Sequence, residues 1–390
     1  MYDVLVVGGG IHGAGVAQAA AVSGYSVLLL EKSDIAAGTS SKSSKLIHGG
    51  LRYLESGQLS LVKECLHERE LLLKNAPHLV ELKPFIIPIY SNTSRSALKV
   101  RAGLSLYALL NGLKRSGRFR SIAKNTWNNL DGLTENNLQH VFQYWDAQTN
   151  DKLLTQAVIK SAEEFAAEVK TSAELLSASY VNEQWVIKYA VGDSEKEVQA
   201  KVVINAGGPW VNRINDKFSP SPSQINIDLV QGSHIIVDGE VSQGIYYLEA
   251  PTDKRAVFVM PWCGNTMIGT TELTYIGEPE KVYPTDDEIS YLINTVKFYF
   301  PKFRSLIDDN VRQSFAGLRV LLADDGSAFS RSRETIIHED EINAPKLFAI
   351  YGGKLTAYRA TAANVIQRIK HYLPDRKIIG DTKKIKLPII

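Results

Sequence analysis

Gly8, Gly10 and Gly13 spell G-x-G-x-x-G between an apolar run and a helix-like stretch, and Glu31 closes the next apolar run. The three glycines suit a tight turn, a close backbone approach to a pyrophosphate and close packing of a helix on a strand, while a carboxylate at Glu31 suits a ribose hydroxyl pair. An isolated glycine motif serves tight packing alone. Here strand, helix, second strand and acid all follow in order, so the stretch points to dinucleotide binding without separating NAD from FAD. Residues 33–50 hold a run of small hydroxyl side chains, including Thr39, Ser40, Ser41 and Ser44, that ends in Gly49-Gly50 and runs into Leu51-Arg52-Tyr53. Such a run builds no core but can wrap a polar ligand. Two later strand ends also turn on glycine: Asn205-Ala206-Gly207-Gly208-Pro209-Trp210 and Tyr351-Gly352-Gly353-Lys354-Leu355-Thr356. The second opens a helix and so makes a further anion site. A simple NAD domain does not need it. A flavin does, because negative charge arrives on its ring with the hydride.

The elements that must position these residues follow from periodicity and turn signals. Residues 2–7 and 27–30 read as buried strands flanking a helix over 11–23 that Gly24 stops. Residues 59–75 form an amphipathic helix, with His67 and the Glu/Arg cluster around it read as its solvated face. A helix over 151–168 leads into a short strand at 168–171 that returns to the first sheet, and 185–189 and 201–204 are further strands. From 224 to 271 the pattern changes to strands at 225–230, 233–237, 245–248, 256–261 and 267–270 without intervening helices, which reads as an antiparallel sheet. Thr285 to Glu288 is a capping box opening a helix that ends near Phe300, and strands near 335–338 and 347–350 precede a helix over 357–370.

A chain of 390 residues exceeds one core, so two domains are expected. With only Cys65 and Cys263 there is no disulfide framework, and a reducing, cytoplasmic location is expected. The first strand begins at Tyr2, leaving no room for a signal or transit peptide. No apolar stretch approaches the ~20 residues of a spanning helix. The net charge of +2 hides a segregation: residues 82–130 contain nine basic residues and no acidic one. Leucines at 98, 104, 106, 109, 110 and 113 lie among those charges. This segment suits either an anionic membrane surface, hence a peripheral location, or a surface helix packing its leucines inward. No nucleic-acid module accompanies the charge.

With these residues in hand, the chain resembles the FAD-dependent glycerol-3-phosphate dehydrogenases and oxidases of the glycine/D-amino-acid oxidase superfamily. The likeness runs from Tyr2 to about Lys370, and the run from Ser43 through His48-Gly49-Gly50-Leu51-Arg52-Tyr53-Leu54 is its most specific part. Gln231-Gly232-Ser233-His234, Gly317-Leu318-Arg319 and Gly353-Lys354-Leu355-Thr356 carry it further. The resemblance implies an α/β fold, with a FAD-binding Rossmann-like domain of the glutathione-reductase/D-amino-acid oxidase type and an antiparallel-sheet substrate domain. The FAD-binding domain is placed at 1–80, 145–222 and 312–375, the substrate domain at 81–144 and 223–311, and a tail at 376–390.

The resemblance further implies FAD held by Gly8, Gly10, Ile11, His12, Gly13, Glu31, Lys32, Thr39, Ser40, Ser41, Ser44, Lys45, Leu46, His48, Gly49, Gly50, Val169, Ala206, Gly207, Trp210, Gly317, Arg319, Gly353, Lys354, Leu355 and Thr356. It implies sn-glycerol 3-phosphate oxidised by hydride transfer to flavin N5. His234 takes the hydroxyl proton; Arg319, Arg333 (with Arg331 as its alternative) and Lys354 hold the phosphate, and Arg52 and Tyr53 face the ring. Electrons pass to a quinone or to oxygen, and a homodimer and membrane-surface contact stay open. His12 replaces the family's usual asparagine, Val320 a proline, and Asp151-Lys152 an Asp-Arg pair; the helical C-terminal region of longer members does not follow Ile390. An amine or amino-acid oxidase would need a carboxylate site, against which the Arg52 run argues. A non-enzymatic flavoprotein would need no substrate clamp at His234, Arg319 and Lys354.

Overall fold

The computed structural model describes residues 1–323 and 335–390. Arg333, expected in the phosphate clamp, and its alternative Arg331 lie outside the described residues.

The first sheet grows from Tyr2–Val7, whose β-branched and apolar side chains are covered on both faces, as a central parallel strand requires. Val27–Leu30 pairs parallel on one side of it, and Glu168–Lys170 pairs parallel beyond that. On the other side lies Ser194–Asn205, whose last residues pair parallel with Ala344–Tyr351. The first half of Ser194–Asn205 continues an antiparallel meander with Ala173–Val181 and Gln184–Val191. The parallel arrangement brings four strand ends to one edge: Gly8 after Val7, Glu31 after Leu30, Ala206 after Asn205 and Gly352 after Tyr351. Ligands of open α/β sheets bind outside the carboxyl ends of parallel strands. The Ile11–Val22 helix has no apolar stripe because nearly all its residues are buried; small Ala and Gly side chains let Asp151–Glu164 and Tyr358–Ile369 pack against it.

The second sheet runs in the order Leu273–Tyr275, Ile227–Val237, Asn265–Gly269, Ala256–Trp262, Ile245–Glu249, Val80–Tyr90, Leu138–Thr149, Leu46–Ile47. It is antiparallel except where Ile245–Glu249 meets Val80–Tyr90 in parallel. Alternation along Ile227–Val237 sends Ile235 and Val237 into a core with the Asp286–Tyr299 helix, leaving His234 for the other face.

Several expectations are corrected. The two strands expected at 225–230 and 233–237 are one, because Gly232 pairs through to Gly317 and the Ser233 amide donates to Thr271 Oγ1 at 2.8 Å. Residues 312–322, placed with the nucleotide domain, lie in Val311–Leu322, which pairs with Ile227–Val237 in the second sheet. The helix expected to reach residue 168 ends at Glu164. Around the exposed His67, Glu68 and Arg69 are not solvated. Arg69 donates to Asp146 Oδ1 at 2.5 Å, and Glu68 receives Arg359 on both its oxygens. The 376–390 segment docks on the Leu59–Asn75 helix, with Leu387 buried and its amide donating to the Asn75 carbonyl.

Candidate functional site

The four strand ends open into one cavity of about 890 Å³. At its glycine end, an added Cβ at Gly13 would sit 1.9 Å from the Gly8 carbonyl oxygen, so only glycine permits this helix-to-strand approach. The helix start carries no acidic residue and no side-chain cap. Its Ile11 amide donates to Ser40 Oγ at 2.9 Å. Glu31 is held in place by the Gly9 amide at 2.6 Å on one oxygen and the Ser33 amide at 2.8 Å on the other.

The hydroxyl-rich loop is set by Asp151, a carboxylate that the sequence marks only as a helix start beside the unusual Lys152. Asp151, fully buried in the first turn of its helix, accepts from Lys45 Nζ at 2.6 Å, from Ser43 Oγ at 2.7 Å and from the Ser43 amide at 3.0 Å. Lys45 Nζ also donates to the Ser41 carbonyl at 2.5 Å. Burial lowers the Lys45 pKa from its usual value, and Asp151 opposes that. The next turn is fixed from behind: the Gly49 amide donates to Tyr107 Oη at 2.8 Å, and Tyr107 donates to Asp146 at 2.6 Å.

At the opposite end, the loop and the second sheet converge. His234 Nε2 lies 2.9 Å from Ser44 Oγ, and its ring stacks on Phe315 with centroids 5.0 Å apart. Burial, then Arg319 and Lys45, push the imidazole down to about 3, so it stands neutral. Arg319 donates to Thr270 Oγ1 at 3.0 Å and pairs with Glu272 at 3.7 Å. Lys354 Nζ lies 3.5 Å from the centre of the Tyr53 ring, and the Arg52 guanidinium lies 5.5 Å from the same ring. Gly353 has a φ of +113°, and a Cβ there would meet His12 Nε2 at 2.1 Å, so the first and last glycine turns touch. Burial pushes His12 down to about 4.

Of the expected residues, Gly8, Gly10, Ile11, His12, Glu31, Lys32, Thr39, Ser40, Ser44, Leu46, His48, Gly50, Arg52, Tyr53, Ala206, Gly207, Trp210, His234, Gly317, Arg319 and Gly353 to Thr356 line the cavity. Gly13, Ser41, Lys45 and Gly49 stand behind that lining and shape it. Val169 does not reach the cavity and packs against the core; Ala173, Glu174 and Leu175 line that end instead. Glu272, Thr270 and Arg255 also line it and were not anticipated. A strand-end glycine pattern marks backbone, whereas these side chains reach the site only through the pairing of distant strands.

A family model described as FAD dependent oxidoreductase matches residues 3–359. The D-erythritol 1-phosphate dehydrogenase of Brucella abortus is 38% identical over 380 residues, 95% of this chain and 74% of that protein. The aerobic glycerol-3-phosphate dehydrogenase of Escherichia coli is 37% identical over 378 residues, with the same coverage of 95% and 74%. The crystal structure of the glycerol-3-phosphate dehydrogenase from Bacillus halodurans complexed with FAD superposes with a TM-score of 0.77 at 26% identity, covering 99% of this chain and 68% of that one.

Two outcomes are expected from this geometry. Lys45→Met strands the Asp151 charge in the interior and should cost about 3 kcal/mol in urea unfolding, whereas Lys45→Met with Asp151→Leu should cost less than the single change. Equal losses would show the charge pairing to be unimportant. For His234, the folded pKa lies below the ordinary 6.5, so between pH 6.5 and about 3 the unfolded chain binds a proton that the folded chain does not. Stability therefore falls as pH falls through that window, by about 2 kcal/mol from this group between pH 6.5 and 5. The urea midpoint at the two pH values, compared with that of His234→Gln, reads it; an identical pH dependence in the variant would refute it.

Proposed function

The chain belongs to the FAD dependent oxidoreductase family, and from that membership we propose that it oxidises sn-glycerol 3-phosphate to dihydroxyacetone phosphate. The residues present fit the cofactor. Gly8, Gly10 and His12 line the cavity at a helix start that has no acidic residue and no side-chain cap, which suits a diphosphate, and Glu31 stands for a ribose. The serine loop, Ala206-Gly207, Gly317 and the turn from Gly353 to Thr356 surround the space left for the ring. Bound FAD supplies the two-electron oxidation by accepting hydride from a carbinol carbon.

The observation that carries the substrate reading is the group of cations at the far end of the cavity. Arg52, Arg319 and Lys354 line the cavity, and Arg319 lies close enough to the neutral His234 imidazole to depress its basicity. Guanidinium and ammonium groups suit phosphate oxygens. His234 accepts the substrate hydroxyl proton; its basicity is depressed partly by Arg319, so a phosphate anion on that guanidinium raises it when it is needed. Both relatives named above carry a phosphorylated polyol in their names, which favours a phosphate over the carboxylate of an amino acid. D-erythritol 1-phosphate is the second reading, supported by the 38% identity to that dehydrogenase.

A quinone is the proposed electron acceptor, reached at a membrane surface. No helix among the described residues is long and apolar enough to cross a membrane. The Ala97–Leu110 helix instead divides its leucines: Leu104 and Tyr107 pack inward, while Leu98 is 77% and Leu109 60% exposed, with Leu113 at 63% just beyond. Lys99, Arg101, Lys114 and Arg115 are exposed around them. Apolar side chains ringed by cations suit an anionic lipid surface.

Mixed anaerobically with the FAD-loaded protein, sn-glycerol 3-phosphate should bleach the flavin absorption, and D-erythritol 1-phosphate should do so more slowly. Bleaching by neither sinks the substrate reading, and a faster response to the tetritol ester replaces it with the second. Oxygen and a quinone, admitted separately, then identify the acceptor. Arg319→Glu should weaken apparent substrate affinity by at least about 100-fold, since it reverses a charge-assisted contact. Vesicles of anionic lipid should sediment with the protein, and Lys114→Glu with Arg115→Glu should release it; equal binding to neutral vesicles would contradict the surface assignment.

A further inference from the structure

Residues 276–284 connect the second-sheet strand Leu273–Tyr275 to the Asp286–Tyr299 helix, and Pro279, Glu280 and Val282 of this connection line the cavity. Its far end is anchored within the second sheet: Gln231 Nε2 donates to the Tyr283 carbonyl at 3.0 Å and to Glu288 at 2.5 Å. Its tip crosses to the first sheet. Glu280 Oε1 accepts from Lys32 Nζ at 2.9 Å and from Trp210 Nε1, and Oε2 lies 3.4 Å from Arg213 Nη1. Lys32 Nζ also sits 4.6 Å from the centre of the Trp210 ring. Among the described hydrogen bonds, Glu280 is the one residue of this connection that reaches the first sheet.

The three partners stand where a dinucleotide must lie. Lys32 directly follows Glu31, Trp210 ends the Gly208–Trp210 turn, and Arg213 belongs to Val211–Asn215. All three line the same cavity as Glu280. We propose that Glu280, with Lys32, Trp210 and Arg213, forms a clasp that closes the second sheet over the dinucleotide and retains FAD. The proposal rests on the family's cofactor and not on the substrate. One carboxylate facing two cations leaves the closed clasp with a net positive charge, compatible with an anionic diphosphate beneath it. Release then requires the Glu280 contacts to break before the cofactor can leave.

The test follows release of FAD from the loaded protein after dilution, by the rise in free-flavin fluorescence. Glu280→Gln keeps the side chain's size but removes the charge that holds Lys32 and Arg213. It should release FAD at least roughly fivefold faster than the parent, the scale of one partly exposed ion pair. Added salt should speed release from the parent and have little effect on the variant. Arg213→Gln should give a smaller acceleration in the same direction. Unchanged urea midpoints confirm that the variants fold; if Glu280→Gln does not, Arg213→Gln and the parent's salt dependence decide. Release at the parental rate, or parental release indifferent to salt, overturns the clasp.

Discussion

The site depends on one buried ion pair. Lys45 adopts a left-handed backbone conformation with φ of 60°, a state that costs a non-glycine residue about 1–2 kcal/mol. It is held there because its carbonyl accepts from the Thr149 amide at 2.8 Å while its ammonium reaches Asp151 and the Ser41 carbonyl. Asp151 belongs to the first turn of a helix, where the dipole favours a negative charge, and its other oxygen takes both donors of Ser43. One carboxylate thus fixes the loop from either side of its bend. At one end of that loop Ser40 meets the Ile11 amide; at the other Ser44 meets His234. The glycine cradle and the proposed proton acceptor are positioned by the same group.

That arrangement also sets the charge balance around the imidazole. Lys45 meets Asp151 at 2.6 Å, and Arg319 pairs with Glu272 at 3.7 Å and donates to Thr270 Oγ1; both cations depress the basicity of His234. Under the proposed reading, a phosphate anion on Arg319 would offset that effect and tie substrate recognition to readiness to take a proton.

The parts of this molecule governed by short-range rules were legible in the sequence. The opening strand, glycine turn and helix, the Leu59–Asn75 helix and the capping box at Thr285 lie where residue spacing places them. Errors arose where distant partners decide. Gly232 reads as a turn, yet a Cβ there would sit 2.6 Å from the Arg319 guanidinium, so the glycine serves a close approach within a continuous strand. Arg69 reads as solvated because its neighbours are charged, but Asp146 arrives from another strand to pair with it. Val169 was expected at the cofactor from the family resemblance alone, and its side chain packs against the core. Glu280 carried no motif at all; its meaning comes from the three residues it meets across the cavity.

The strand Val311–Leu322 has a consequence for transplanting parts between proteins of this architecture. It is built into the second sheet, yet Gly317 abuts the Lys42 carbonyl of the serine loop, and the Leu318 carbonyl accepts from Thr39 Oγ1 at 2.8 Å. Two positions from Gly317, Arg319 points toward the proposed substrate end. A chimera that exchanged the second sheet to acquire a new specificity would bring a foreign edge of the cofactor cradle with it. Specificity and cofactor seating are inherited together through twelve residues of one strand.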